Sequence, residues 1–471
     1  MKSVKTEELS KLFLVKPYLQ LGQQFAVTTN EHYEVLWHTY DMEGDFQVQY
    51  RAYDETDNET GAQSWKPQVS LIPTLVRTSG SVAPHYRYQA VIGPIAAGKS
   101  FTYRVYKDKV KVFEASGKAA PRKDQPWRFI AIGDIGDGGK GARANAHAIQ
   151  AYQPQLLLIP GDVVYDRGRV GEYLKHFFPI LNSDRSARSH GAPLMRSTIT
   201  VAAPGNHDVG TPVQTESLNW KKFPDMFGFY LFWSHPANGP ALPQGLMGRL
   251  LSSARNRKKM LALRGNTLSD GSNFHFRFGN AHFVVLDANM HMDWTKPLVR
   301  QWLKDALQAG SDAQWRIVTF HQPPFNSDRK YNVEQRMRMI ADILQEGKVD
   351  LVLGGHCHYY ERSAPIKLDG GSSGLRLNND GTVSARLNID DKYDGRTITS
   401  PDGIIYVVTG SGSRMVDEGH LPTRSSFTRC LNITDNSFTV IDVDGARLTL
   451  RQLTPDNKEI DKITIDKSGS H

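Results

Sequence analysis

Two cysteines in 471 residues, Cys357 and Cys430, are too few and too far apart to make a disulfide framework, so they say nothing about compartment. No apolar run approaches the roughly 18–20 residues that a membrane span needs. The opening stretch Met1–Lys16 has basic residues but no apolar core of signal-peptide length; if the natural protein is exported, its signal lies outside these residues. Ser468–His471 reads as an added tail outside the fold. No block of five or more Lys and Arg occurs, which leaves a nucleic-acid-binding arm unsupported. There is no internal repeat. What is present is ordinary soluble composition, with 39% hydrophobic and 10% aromatic residues, and a length that allows two or three domains. The net charge of +8 is either a mild attraction for anions such as phosphate esters or a charge spread over the surface without effect.

Residues from about 17 to 118 read as an all-β sandwich. Phe46, Val48, Tyr50 and Ala52 alternate with polar residues, as do Tyr86, Tyr88, Ala90 and Ile92, and then Phe101, Tyr103 and Val105. Residues 119–127, polar and proline-containing, read as a linker. From 128 to 465 the pattern becomes α/β, with short apolar runs between helical stretches: Phe129–Ile132, Leu156–Ile159, Ile199–Ala203, Phe283–Leu286, Ile317–Phe320 and Leu351–Leu353. One helix is expected with Thr295 as cap and Leu298, Trp302 and Ala306 on its inner face. Another is expected with Asn332 as cap, Val333, Met337, Ile340 and Leu344 inward, and Gly347 as stop. Residues from about 211 to 270 read as an insertion. Its aromatics Phe227, Phe229, Tyr230, Phe232 and Trp233 are expected to form a small core of its own, and its basic run Arg255–Lys259 a solvated surface. Residues 368 to 402 read as loops with a hairpin.

Five of the apolar runs end directly in groups that bind metals. They lead to Asp134 in Gly133–Gly136, to Asp162 and Tyr165 in Gly161–Tyr165, to Asn206 and His207 in Gly205–Asp208, to His321, and to His356 and His358 in Gly355–His358. In open α/β sheets, sites form beyond the carboxyl ends of the strands, so these residues are expected along one rim. Gly133, Gly161, Gly205 and Gly355 stand just before the candidate ligands, where a sharp turn needs positive φ or close backbone approach. Carboxylate, phenolate and amide oxygens suit a hard, highly charged ion, and imidazoles suit zinc, iron or manganese. A bridging carboxylate could hold two ions, the arrangement that clamps both oxygens of an in-line displacement at phosphorus. Taken singly, each of these residues could be a turn or cap residue. All seven together point to metal.

These five segments, GDIG, GDVVY, GNHD, VTFH and GHCH, resemble, in order, the five motifs of the purple acid phosphatases, a branch of the calcineurin-like metallophosphoesterases. The likeness spans Asp134 to His358, about half the chain, and continues into Tyr360–Ser363. It implies an α-β-β-α sandwich preceded by a fibronectin-III-like domain. It further implies a ferric ion on Asp134, Tyr165 and His358, a divalent ion (zinc, iron or manganese) on Asn206, His321 and His356, and Asp162 between them. The implied activity is acid phosphatase hydrolysis of phosphate monoesters by a metal-bound hydroxide, with inorganic phosphate as product. Phosphodiester hydrolysis at the same site is the alternative, and a binding protein on a decayed enzyme fold is a third reading, opposed by the intact ligand set. The implied setting is periplasmic or extracellular, with no membrane span and no nucleic-acid partner.

One departure from the wider superfamily is informative. Where most calcineurin-like enzymes have Asp-x-His, this chain has Gly136, and the resemblance makes Tyr165 the replacement ligand. His207 is the candidate catalytic residue, facing substrate to stabilise charge or protonate the leaving group. Tyr331, near where relatives place a substrate-facing histidine, is the substrate-binding candidate, with a plain helix-start residue as its other reading. Asp208 is read as orienting a neighbour and Asp137 as a turn residue. Cys357 is expected to point away from the metals.

Overall fold

The computed structural model describes residues 12–23, 30–40, 44–54, 65–67, 71, 74–76, 82–209, 228–240 and 272–469. Two antiparallel four-stranded sheets occupy the N-terminal part, one carrying Phe13–Gln20, Asn30–Thr39 and His85–Ala96, the other Phe46–Tyr53, Ser100–Lys107 and Val110–Lys118. The alternation seen in the sequence is the inner face: Phe46, Val48, Tyr50, Tyr88, Ala90, Ile92, Phe101, Tyr103 and Val105 are all buried in one cluster.

The rest is built on two further sheets packed face to face. The first has six strands in the order Ile199–Ala203, Leu156–Pro160, Trp127–Ala131, Phe438–Asp444, Arg447–Leu453, Glu459–Asp466; the first three run parallel. The second has seven, in the order Phe274–Phe278, Ala281–Val285, Trp315–Thr319, Leu351–Gly354, Ile405–Thr409, Tyr360–Ser363, Thr428–Asn432, with a parallel block from Ala281–Val285 to Ile405–Thr409. Period-2 alternation sends Phe129, Leu156 and Leu158 toward Phe283, Ile317 and Leu351 between the sheets. Ile130, Leu157 and Ile159 point the other way, onto Ala142, Ala146 and Ile149 of the helix Lys140–Ala151. On the far side Val284, Val318 and Val352 meet Leu303, Leu307, Ile343 and Leu344. Helices thus cover both outer faces. Strands buried on both sides need apolar residues at every position, which is why they read as unbroken runs. The expected single rim is shared by two sheets, because an apolar run carries no mark of which sheet it joins.

Three local expectations need correction. The helix is Pro297–Gln308, and its buried residues are Val299, Leu303, Ala306 and Leu307, whereas Leu298 is 48% exposed. Thr295 does not cap it: its backbone N–H and hydroxyl both turn back to Asp293 Oδ1. We expect Leu303→Ala to cost about 2–5 kcal/mol and Leu298→Ala at most about 0.5 kcal/mol in denaturant unfolding. Similarly, no single helix starts at Asn332. Short 3₁₀ turns at Tyr331–Val333 and Arg336–Ile340 precede the helix Ala341–Glu346, because the Asp328 carboxylate ties down the N–H groups of Lys330 and Tyr331. Val333 is exposed, while Met337, Ile340 and Leu344 are buried as expected.

The third correction concerns the insertion. Phe229, Tyr230, Phe232 and Trp233 do not form a core of their own; they pack with Tyr173, Phe177 and Phe178 of the α/β region and with Tyr18 of the N-terminal sheet. Tyr18 donates its hydroxyl to the Phe232 carbonyl at 2.8 Å, and Arg87 donates to the Leu231 carbonyl, so the short helix Gly228–Phe232 pins the N-terminal sandwich to the rest. Phe227 and Arg255–Lys259 lie outside the described residues. Among those described, no helix is long and apolar enough to cross a membrane.

Candidate metal centre

Three strands of the first sheet and two of the second end at one place, and the seven candidate ligands meet there. Asp134, Asp162, Asn206 and His321 are at most 4% exposed. Asp134, Asp162 and His321 bring ligand atoms within 4.8 Å of one another, the one such carboxylate–imidazole group among the described residues. The wider set forms two clusters around them. In the first, the Tyr165 hydroxyl lies 3.1 Å from Asp134 Oδ1 and 3.2 Å from His358 Nε2, and His358 Nε2 lies 3.6 Å from Asp134 Oδ1. In the second, His321 Nε2 is 3.0 Å from Asn206 Oδ1 and 3.3 Å from Asp162 Oδ1. Ligands each ~2.0–2.2 Å from a shared cation stand roughly 3.0–3.5 Å apart, so these spacings are those of donors facing a common ion.

The backbone is bent to achieve this. Of the four motif glycines only Gly161 has positive φ; Asp134, Asp162 and His356, the candidate ligands themselves, carry φ of 58°, 47° and 71°. Non-glycine residues hold such angles only where the surroundings enforce them. The enforcement is visible. His356 N–H donates to Asp134 Oδ2, His207 N–H to Asp162 Oδ1, and Asp208 accepts from the N–H groups of Val163, Val164 and Gly205, joining two of the ligand turns. His321 gives its Nδ1 proton to the Pro160 carbonyl, which leaves Nε2 as the free donor atom.

Gly136 shows why histidine is missing from the first motif. A Cβ there would stand 1.8 Å from the Val163 carbonyl oxygen, and the Gly136 carbonyl accepts the N–H of Tyr165. No side chain fits, and the same contact aims the tyrosine at the site. Gly136→Ala is expected to force the two turns apart, costing about 1–3 kcal/mol by thermal unfolding and displacing Tyr165.

Electrostatically the cluster is set for added positive charge. Burial, reinforced by Asp134 and Asp162, pushes the Tyr165 phenol well above its usual range. Burial also raises Asp134 well above that of an ordinary carboxylate, although His321 opposes it. Burial would lower His321, but the carboxylates of Asp162 and Asp134 outweigh it and raise it to about 10. Burial lowers His358 to about 4. His356 Nε2 is buried, 3.3 Å from Glu334 Oε2. Buried oxygens that resist ionisation, beside imidazole nitrogens, are what a bound cation would reverse.

Outside the ligand set, His207 is partly exposed, with Nδ1 held 2.9 Å from the Asp166 carbonyl and Nε2 3.9 Å from Asp162 Oδ2. The Tyr331 ring lies on His356, centroids 4.0 Å apart, and on His420 at 4.5 Å, so it reaches the edge of the site. Asp137 accepts the N–H of Gly139, a turn contact. Cys357 is buried against Tyr359 and Val408.

Three residues near the site escaped the sequence reading. Arg414 follows the strand Ile405–Thr409 through Gly410–Ser413, the same apolar-run-then-glycine signal as the other motifs, and its guanidinium lies 4.1 Å from the Tyr165 ring centroid. Asn289, just past Ala281–Val285, donates to the carbonyls of Pro204 and Gly205 and so steadies the turn bearing Asn206. Glu334 Oε2 is 3.3 Å from His356 Nε2, and nothing in its sequence surroundings marks it.

Residues 128–360 match the calcineurin-like phosphoesterase family. Purple acid phosphatase 23 of Arabidopsis thaliana is 25% identical over 262 residues, 51% of this chain and 49% of its own. An uncharacterized protein of Mycobacterium tuberculosis is 24% identical over 341 residues, 66% of this chain and 55% of its own. The chain therefore spans about half the length of the curated relatives it matches. Among solved structures, the purple acid phosphatase PPD1 from yellow lupin seeds superposes with a TM-score of 0.65 at 16% identity, covering 96% of this chain and 74% of that one. PhoD superposes with a TM-score of 0.56 at 12% identity, covering 98% and 94%. At these identities the two structures speak for the fold.

Proposed function

Starting from a calcineurin-like phosphoesterase domain at residues 128–360 in a chain with purple acid phosphatase homologues, we propose that this protein is an acid phosphatase acting on phosphate monoesters. In this reading Asp134, Tyr165 and His358 hold a ferric ion, Asn206, His321 and His356 hold a divalent ion (zinc, iron or manganese), and Asp162 contributes to both. The observation that carries it is the donor spacing of 3.0–3.6 Å among Asp134, Tyr165 and His358 and from His321 to Asn206 and Asp162. The ion pair, when bound, supplies nucleophile activation in acid and neutralises phosphoryl charge.

The protein's own contribution is orientation and proton handling. Tyr165 is held in place by its backbone bond to Gly136 and is enclosed at 4% exposure, so water does not compete for its oxygen. His207 has its Nδ1 engaged by the Asp166 carbonyl, which leaves Nε2 as the ring atom free to give a proton to a departing alkoxide. Asp208 keeps the turns of Asp162 and Asn206 in register through three N–H bonds. A small phosphate ester as substrate, inorganic phosphate as product and an exported setting belong to the same proposal.

The test compares turnover of an aryl phosphate with that of its bis-aryl diester by the iron-containing protein across acidic pH. Faster monoester hydrolysis is expected. A diester rate well above the monoester rate would replace this reading with a phosphodiesterase using the same residues.

A further inference from the structure

Arg414 is a cation on the rim that no role above accounts for. The candidate ligands are mostly enclosed, and the residues that reach solvent mark where the site opens: the side chain of the ligand His358 is 22% exposed and that of the neighbouring His207 26%, while the Arg414 side chain is 42% exposed. All three surround Tyr165. Its ring centroid is 4.7 Å from that of His207 and 6.1 Å from that of His358, and the Arg414 guanidinium lies over it at 4.1 Å.

The guanidinium is aimed but not used up. Its carboxylate contacts are long, 3.5 Å from Nη2 to Asp166 Oδ1 and 4.0 Å from Nε to Asp137 Oδ2, and Asp166 is itself 69% exposed. These two acids come from the turns after the first two motif strands, so they fix where the arginine stands without closing off its planar fork. Arginine suits phosphate because two parallel N–H groups match two phosphoryl oxygens, and stacking on an aromatic ring leaves those N–H groups in the ring's plane direction, free for a ligand at the edge.

Resting on the phosphatase reading, we infer that Arg414 is a substrate-positioning residue that binds the phosphoryl oxygens at the mouth of the site, where it and His207 both pack on Tyr165. Substrate then meets both a cationic fork and a proton donor at the mouth, which favours a monoester, with three unesterified phosphoryl oxygens, over a diester in which a second ester group occupies the fork.

The test uses inorganic phosphate as probe, titrated into the iron-containing protein and followed through the visible absorption of the iron–tyrosine pair. Arg414→Gln is expected to weaken phosphate binding about tenfold, the scale of one hydrogen-bond pair to a charged group. KM should rise to match, with kcat changing less, and Arg414→Lys should recover part of the loss. Iron content and band intensity without phosphate should be retained, which a merely bracing role for Arg414 would not allow. Unchanged phosphate affinity in Arg414→Gln, or loss of the band itself, would overturn the inference. Absence of an iron band in the parent protein would instead overturn the phosphatase reading beneath it.

Discussion

Replacing Asp162 by asparagine is expected to leave a folded chain that holds at most one ion tightly and hydrolyses phosphate esters on the order of 10³-fold more slowly, or worse. The asparagine has the same shape, so the turn at φ 47° and the bond from His207 N–H can persist. What disappears is the negative charge of Asp162 in the Asp134–Asp162–His321 group, and with it one carboxylate oxygen. In the parent, burial opposes ionisation of Asp162, but His321 and His207 overcome it and hold the carboxyl below its ordinary range. Elemental analysis and steady-state rates check the prediction together. Added iron and divalent ion should raise the melting temperature of the parent more than that of the variant, because only ligands bound to the folded state stabilise it.

His207→Ala should be the most informative change that leaves the ions in place. His207 meets the centre through its backbone N–H, the 3.9 Å approach of its ring to Asp162 and its packing on Tyr165, none of which supplies a ligand atom, so metal content should hold. Loss of a proton donor is expected to slow alkyl phosphates by about 10²–10⁴-fold. Aryl phosphates, whose leaving groups depart without a proton, should suffer much less. Single-turnover rates on the two substrate classes give the ratio. Equal, small losses on both would remove His207 from proton transfer.

Much of the site was legible because its chemistry sits at punctuation marks. An apolar run such as Leu156–Pro160 is buried on both faces, and the glycine and aspartate that follow have no reason to be there except the turn and what it holds. Five repetitions made the pattern specific. Arg414 obeys the same rule after Ile405–Thr409 and was missed because the residue is cationic, whereas the pattern was read for ligands. The strands Phe438–Asp444 and Arg447–Leu453 also went unread, although Val440 and Leu450 are fully buried and Gly445 marks their turn.

Other features were hidden for physical reasons. Sheet membership depends on pairings such as Ile130 with Val440, 310 residues apart, which no local pattern encodes. The segment at Tyr331–Val333 has helical letters but stays a short turn, because Asp328 and the stacking of Tyr331 between His356 and His420 hold it to the site. For Pro297–Gln308 the helix itself was recognised and Ala306 is buried as expected, but Leu298 was read as inward in place of Val299, since the two are equally apolar and only packing chooses between them.

The proposed centre requires a phenolate oxygen and two carboxylates to share a pair of cations. The direct measurement is the visible spectrum of the iron-loaded protein beside that of Tyr165→Phe, with metal content determined on both. A purple or pink band with two ions per parent chain, absent from the phenylalanine variant, is the predicted result. A colourless parent that turns over phosphate esters at full rate, or a band that survives the loss of the tyrosine hydroxyl, would contradict it.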